Sequence, residues 1–228
     1  MRVRRGAAIA SPNYPLINGV RTPYTNGMDF QDVVRKRRMV RHFTAQPVPD
    51  ETVARIVEAA QHAPSAGFSQ GVSFVVVTEQ ATRQRVAQIA GEDHYVADGM
   101  YPFISEAPVQ IVICTSEQVY KERYREPDKK PDPEAEELEW PVPYWHTDAG
   151  CALMLILLAA VNEGLAGAFV GVWDQRGLQQ LLGIPEHFLP IGVTMIGHGA
   201  EDVKSKSLKR GRRTLDTVLH RERWSDAD

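Results

Sequence analysis

The segment of residues 146–163 constrains the fold more than any other part of the sequence. Its apolar residues cover almost every face of a helix, and Gly164 follows as a stop signal. A helix that is apolar all round is buried on all sides. The pattern therefore predicts a long buried central helix, capped near Thr147 or Asp148, whose burial a second subunit shares. The longest apolar run, residues 149–161, is too short to span a bilayer, so no membrane contact is expected.

Four shorter apolar runs predict buried strands, and the stretches between them predict helices. The strands are expected at residues 74–78, 109–115, 168–172 and 191–196. The helices are expected after Asp50 as far as Pro64, at residues 82–89, and at residues 178–182 before Gly183. Because strands and helices interleave while the helices cluster, we predict an α+β fold with a mixed sheet flanked by helices. No GxGxxG motif follows a strand and no P-loop motif occurs, so neither nucleotide site is indicated.

Two basic clusters stand out in a chain whose net charge is only −3. Residues 35–44 read RKRRMVRHFT, and residues 204–213 read KSKSLKRGRR. On a helix, Arg37 and Arg41 would share one face and could hold a phosphate from two sides. Clustering without a global excess favours a small anionic ligand over nucleic acid, and one phosphate could be held by both clusters if the chain ends meet. A solvated, charged helix end is the alternative.

The regions outside these elements give coarser expectations. Residues 1–27 contain proline, glycine and asparagine without periodicity, which predicts a flexible N-terminal tail before one domain at residues 28–228. No apolar leader opens the chain, so a cytoplasmic location is expected. Cys114 and Cys151 lie in apolar runs and are expected to be buried, reduced thiols.

Residues 117–140 differ from the rest of the chain because they are rich in charge and proline. This composition favours a mobile solvated loop. A lid over a site is the alternative, since long loops in compact domains are often functional. Trp140, Tyr144 and Trp145 would supply its aromatic surface.

No pattern of metal ligands or of a hydrolase nucleophile is found. The seven histidines form neither HxxxH nor HExxH, and no GxSxG occurs. His146, Asp148 and Cys151 could be imagined as a metal cluster, but their spacing brings them together only loosely, so no metal is expected.

Five segments resemble, in the right order, the motifs of the nitroreductase superfamily of FMN-dependent flavoproteins. They are RRMVRHF, HAPSAGFSQGVSFVVV, NEGLAGAFVGVWD, LLGIPEHFLPIGVTMIGHG and KRGRRTLDTVLHRERW. The match covers about residues 28–224. The resemblance implies a nitroreductase-like α+β domain that forms a domain-swapped homodimer, with two FMN sites at the interface.

The resemblance also implies which residues bind FMN. The phosphate, ribityl chain or ring edge would contact Arg37, Arg38, Met39 and Arg41, with Lys209, Arg210 and Arg212 as the late phosphate cluster. The flavin would be lined, partly from the other subunit, by Pro64, Ser65, Ala66, Phe68 and Gln70, with Val170 and Gly171 against the ring. Met39 replaces the usual Ser, Phe68 the usual Asn, and Gly71-Val72 the usual Pro-Trp.

The implied function is hydride transfer from NADH or NADPH, through FMN, to a small oxidised acceptor such as a nitroaromatic or quinone, in a ping-pong sequence. Flavin carries this chemistry itself, so the sequence requires no side-chain acid, base or nucleophile. Three alternatives are a flavin-consuming enzyme like 5,6-dimethylbenzimidazole synthase, a non-catalytic flavin-binding protein, and a nucleic-acid binder. The acidic overall charge and the lack of a reading-helix motif argue against the last.

Overall fold

In a computed structural model of the chain, the structure describes residues 16–17, 20–21, 28–130, 132, 134, 136–203 and 205–225. Within the predicted N-terminal tail, Leu16–Ile17 (β1) and Val20–Arg21 (β2) pair antiparallel. The rest of that predicted tail lies outside the described residues.

A four-stranded sheet forms the centre of the molecule. Its strands are β3 (Val72–Val77), β4 (Val109–Thr115), β5 (Ala166–Val170) and β6 (Leu189–Gly197). Their order is β3-β4-β6-β5, and every neighbouring pair is antiparallel. The predicted mixed sheet is therefore antiparallel across its strands, and within the described residues parallel pairing is confined to one bridge between Met39 and Gly167.

The strands lie at or close to their predicted positions because each is a contiguous run of residues that fit a pleated, buried surface. All of β4 is buried, as expected for a central strand. The first strand differs from the prediction. As an edge strand β3 is only partly covered, and the side chain of Val76 is 42% exposed.

Eight helices are described around the sheet. They are α1 (Phe30–Lys36), α2 (Asp50–Gln61), α3 (Gln80–Ile89), α4 (Glu92–Ala97), α5 (Phe103–Glu106), α6 (Glu117–Arg123), α7 (Tyr144–Asn162) and α8 (Gln175–Leu182). Two boundaries correct the predictions. Pro49 caps α2, so Asp50 is its first residue, and Pro143 starts α7 before the predicted caps. The predicted end of α8 is confirmed, because Gly183 adopts the left-handed conformation there with φ 65°.

The central helix α7 packs between α2 and the sheet. Ala149, Ile156 and Ala160 of α7 join Ile56 of α2 and Ile111 of β4 in one hydrophobic cluster. The opposite face of the sheet covers a second cluster formed with α3, α5 and α8.

The burial of α7 is incomplete within one chain, which corrects the prediction that all its faces are buried. Met154, near its middle, is 45% exposed. By length and composition α7 could cross a membrane, but the core helices of soluble proteins pass the same test, and α7 contacts α2 and the sheet. An ion pair between Arg55 and Glu163, at 2.6 Å, fixes its C-terminal end to α2.

Candidate functional site

A cavity of about 930 Å³ opens where the two basic segments of the chain meet. We call it the basic cavity. It brings together five of the predicted site residues, which are Arg37, Arg38, Met39, Arg41 and Arg212. Lys36, of the same basic cluster, lines it too, and sequence reasoning missed the other side of its wall, which contains residues 164–166 and 199–203.

The segment after α1 is extended, so the helical interpretation of the Arg37 and Arg41 spacing is wrong. The helix ends at Lys36, and Arg37 has φ −60° and ψ 120°. Hydrogen bonds to the edge of the sheet replace the helical ones, since the N–H of Val40 donates to the carbonyl of Gly167 at 3.1 Å. Arg37 and Arg41 both line the basic cavity, although four residues of extended chain separate their backbones by roughly 13 Å.

Two glycines lie at close approaches between elements near this segment. A Cβ on Gly167 would lie 2.9 Å from Cδ2 of Leu157. A Cβ on Gly199 would lie 3.1 Å from Cβ of Ala166 and 3.3 Å from Cγ1 of Val40. Gly199 therefore lets the basic segment at Val40 lie close to the end of the sheet, and Gly167 lets α7 pack closely against β5.

The charges of the basic cavity are available to an external anion. Among the described residues, no carboxylate forms an ion pair with Arg37, Arg38, Arg41 or Arg212. Glu201 and Asp202 also line the cavity, and Asp202 Oδ2 accepts the backbone N–H of Arg41 at 2.7 Å. Guanidinium donors without internal partners, in a cavity of ligand size, fit the phosphate end of a mononucleotide such as FMN.

The predicted loop lines a second cavity, of about 570 Å³, which we call the loop cavity. Pro64, Ser65, Phe68 and Gln70 are part of its wall. Residues 64–70, hereafter the cofactor loop, have an unusual backbone, with φ 56° at Phe68 and φ 54° at Gln70. The Phe68 side chain is 73% exposed.

Ala66, the remaining predicted loop residue, contributes through its backbone. Its N–H donates to Oδ2 of Asp148 at 2.8 Å, and the same oxygen accepts the hydroxyl of Tyr120 at 2.7 Å. The Asp148 side chain is buried. It belongs to no metal cluster, since no group of three His, Cys, Asp or Glu side chains able to hold a metal occurs in the described part of the chain. Burial, and then the bond to Asp148, raise the pKa of Tyr120 well above its usual range.

The segment after β4 is packed against this loop, so the prediction of a mobile solvated loop is wrong for its first part. Tyr120 of α6 is fully buried, and Nε of Arg123 donates to the carbonyl of Gly67 at 3.0 Å. The rings of Tyr124 and Trp140 lie 4.7 Å apart, edge to face. Sequence reasoning missed these contacts because aromatic residues are scattered among charges there.

The last predicted residues line neither cavity. Val170 is buried at the end of β5, and Gly171 is exposed with open space where a Cβ would be. Lys209 and Arg210 are exposed on the short turn Lys206–Arg210. Of the two thiols, Cys151 is only half-buried, which corrects the prediction.

Comparisons with known proteins confirm the resemblance carried by the motifs. The sequence pattern of the Nitroreductase family matches residues 34–198, which is more than half of the chain. The FMN reductase (NAD(P)H) of Bacillus subtilis is 28% identical over 193 residues, covering 84% of this chain and 72% of the relative. The solved nitroreductase family protein of Streptococcus pneumoniae has a TM-score of 0.67 at 23% identity, covering 85% of this chain and 100% of that one. The NADPH:FMN oxidoreductase of Vibrio harveyi, complexed with NAD+, has a TM-score of 0.66 at 25% identity, covering 87% and 79%. The chain belongs to the Nitroreductase family.

Proposed function

We propose that the protein is an FMN-dependent NAD(P)H oxidoreductase that passes electrons to a small oxidised acceptor, a nitroaromatic or a quinone. The observation that carries the proposal is the basic cavity, which is lined by arginines from two distant parts of the chain that form no ion pair with any described carboxylate. The relatives named as an FMN reductase and an NADPH:FMN oxidoreductase support the same activity.

The residues of the basic cavity would hold FMN by its phosphate. Arg37, Arg38 and Arg41 would donate from one end of the chain and Arg212 from the other, because planar guanidinium forks match phosphate oxygens. FMN, when bound, supplies the hydride chemistry between NAD(P)H and the acceptor. The side chains of this family member therefore bind and orient, and none needs to act as a nucleophile.

The cofactor loop would complete the site from a second copy of the chain. Ala152 of α7 lines the loop cavity and Val161 lines the basic cavity, which separates the two by roughly 14 Å along the helix, at about 1.5 Å per residue. The exposed side chains of Phe68, Met154 and Trp224 form apolar surface that a partner subunit would cover. We therefore propose a homodimer with exchanged segments.

The activity is tested on the purified protein. We expect a flavin absorption spectrum, FMN on extraction, and NADH or NADPH oxidation that depends on an added nitroaromatic or quinone. Apoprotein that takes up no added FMN would refute the proposal. Bound FMN without turnover of any acceptor would favour a flavin-binding protein, and a benzimidazole product from the reduced enzyme in oxygen would favour the synthase.

The shared site is tested by mixing two variants, Arg41→Ala and Gln70→Ala, at an FMN concentration that fills the wild-type site and leaves the site of each variant alone empty. If the loop comes from the partner, each mixed dimer contains one intact site. Random exchange then restores activity to about a quarter of all sites. If each chain builds its own site, every site in a mixed dimer carries one defect, and no activity returns.

A further inference from the structure

We infer that three side chains, Asp148, Tyr120 and Arg123, form a loop anchor that positions the cofactor loop for flavin binding. They are positioning residues, because each contacts the loop or another anchor residue. The inference rests on the proposed function, in which that loop lines the flavin.

The cofactor loop needs such an anchor because its backbone is intrinsically unfavourable. Three of its residues have left-handed φ values, 62° at Gly67, 56° at Phe68 and 54° at Gln70. Phenylalanine and glutamine rarely adopt this conformation. It persists where surrounding contacts determine it, and such residues cluster at ligand sites.

The anchor reaches the loop backbone at two points. Asp148 Oδ2 accepts the N–H of Ala66 at 2.8 Å, and Arg123 Nε donates to the carbonyl of Gly67 at 3.0 Å. Tyr120 donates its hydroxyl to the same Asp148 oxygen at 2.7 Å, which fixes the direction of the carboxyl. Since Asp148 and Tyr120 are both buried, water cannot easily replace the hydrogen bonds that Asp148 accepts from Ala66 and Tyr120.

Two rings, Tyr120 of α6 and Tyr124 directly after it, also restrict the loop and its C-terminal neighbour Gly71 sterically. A Cβ on Gly71 would lie 2.5 Å from Cε2 of Tyr120, and one on Gly67 would lie 2.5 Å from Cε2 of Tyr124. Tyr120 therefore makes two separable contributions, a ring against Gly71 directly after the loop and a hydroxyl to Asp148. Tyr124 contributes a ring, and its hydroxyl forms no hydrogen bond within the described residues.

The pair Tyr120→Phe and Tyr124→Phe separates the hydroxyl from the ring. Each change keeps the ring, and only the first removes a bond to Asp148. We expect Tyr120→Phe to weaken FMN binding to the apoprotein about fivefold to thirtyfold, as for one buried hydrogen bond. Tyr124→Phe should leave the affinity within about twofold. Titration of flavin fluorescence measures both.

Amide hydrogen exchange on the full-length apoprotein tests the anchor without flavin. In Tyr120→Phe, the amides of residues 65–70 should exchange faster while those of β4 and α7 stay as in the wild type. Arg123→Met, at a partly exposed position, should loosen the same loop amides and weaken FMN binding in the same direction.

The possible outcomes distinguish a failure of the proposed function from a failure of the loop anchor. Wild-type protein that binds no FMN would refute the proposed function, while the exchange data would still test the anchor. Loop exchange and FMN affinity unchanged in both Tyr120→Phe and Arg123→Met would overturn the inference. Exchange that rises equally in β4 and α7, or a Tyr120→Phe chain that does not fold, would assign Tyr120 to global stability and equally overturn its positioning role.

Discussion

Replacing Arg41 by alanine tests whether the basic cavity binds a phosphate. The side chain of Arg41 lines the cavity and has no carboxylate partner among the described residues. Its backbone N–H, which donates to Asp202, is unchanged by the substitution. The fold should therefore tolerate the change, and the effect should fall on the ligand.

The size of the effect follows from the kind of bond that is removed. A hydrogen bond to a charged group contributes about 1.5–3 kcal/mol. At about 1.4 kcal/mol per factor of ten, Arg41→Ala should raise the Kd for FMN about 10- to 150-fold. Arg212→Ala should have an effect of similar size, because Arg212 reaches the same cavity from the other end of the chain.

The assay compares FMN with riboflavin, which lacks the phosphate. Arg41→Ala should weaken FMN binding and leave riboflavin binding nearly unchanged. Arg35→Ala is the matched control, because Arg35 belongs to the same basic cluster but bonds Gln31 and Asp32 on α1 and does not line the cavity. Fluorescence titration of dialysed protein gives the dissociation constants of FMN and riboflavin for each variant.

A double variant shows whether Arg41 and Arg212 contact one phosphate. Side chains that share a ligand are coupled, so the loss in Arg41→Ala/Arg212→Ala should differ from the sum of the single losses by at least about 0.5 kcal/mol. Equal losses for FMN and riboflavin, or an Arg35→Ala effect as large as that of Arg41→Ala, would refute the phosphate assignment.

Three further expectations concern the scaffold. Gly71→Ala should lower the free energy of unfolding by about 1–3 kcal/mol in urea denaturation, because its Cβ would lie 2.5 Å from a ring carbon of fully buried Tyr120. Glu92→Ala should lower it by about 2–4 kcal/mol, because the buried carboxyl accepts two backbone N–H groups of α5, whereas Glu92→Gln retains an acceptor and should lose less. Burial raises the pKa of the Cys114 thiol to about 12. The folded state thus keeps a proton that the unfolded state loses above pH about 9, and stability should fall there by up to about 1.4 kcal/mol per pH unit. Cys114→Val should remove that part of the slope when unfolding is measured at rising pH.

Sequence patterns located well those elements whose own residues carry the signal, as buried apolar runs or as a helix-ending glycine. Strand β4 was predicted at its observed bounds because all of its residues face packed layers. The helix α7 was found through its apolar composition, and the end of α8 through Gly183. In each case the deciding contacts are local or non-specific, so composition and period suffice to reveal them.

The misassigned parts depend on partners that are distant in the chain. Arg37 to Arg41 would be helical by spacing, but their backbone pairs with Gly167, which no local pattern reveals. Asp148 was weighed as a cap or a metal ligand, and its actual role depends on Ala66 and Tyr120. A residue type and a spacing identify the chemistry that is available, and only the fold decides which neighbour uses it.

The position of α7 explains how one helix can serve both halves of the proposed site. Its N-terminal half provides Asp148, which holds the cofactor loop, and its C-terminal end reaches the basic cavity through Val161. Exposed Met154 lies close to the midpoint between them. A two-fold axis that passed this point perpendicular to α7 would run the two helices antiparallel, because the rotation reverses a direction perpendicular to its axis. The cofactor loop of one copy would then approach the basic cavity of the other, so a single apolar contact would assemble two complete sites.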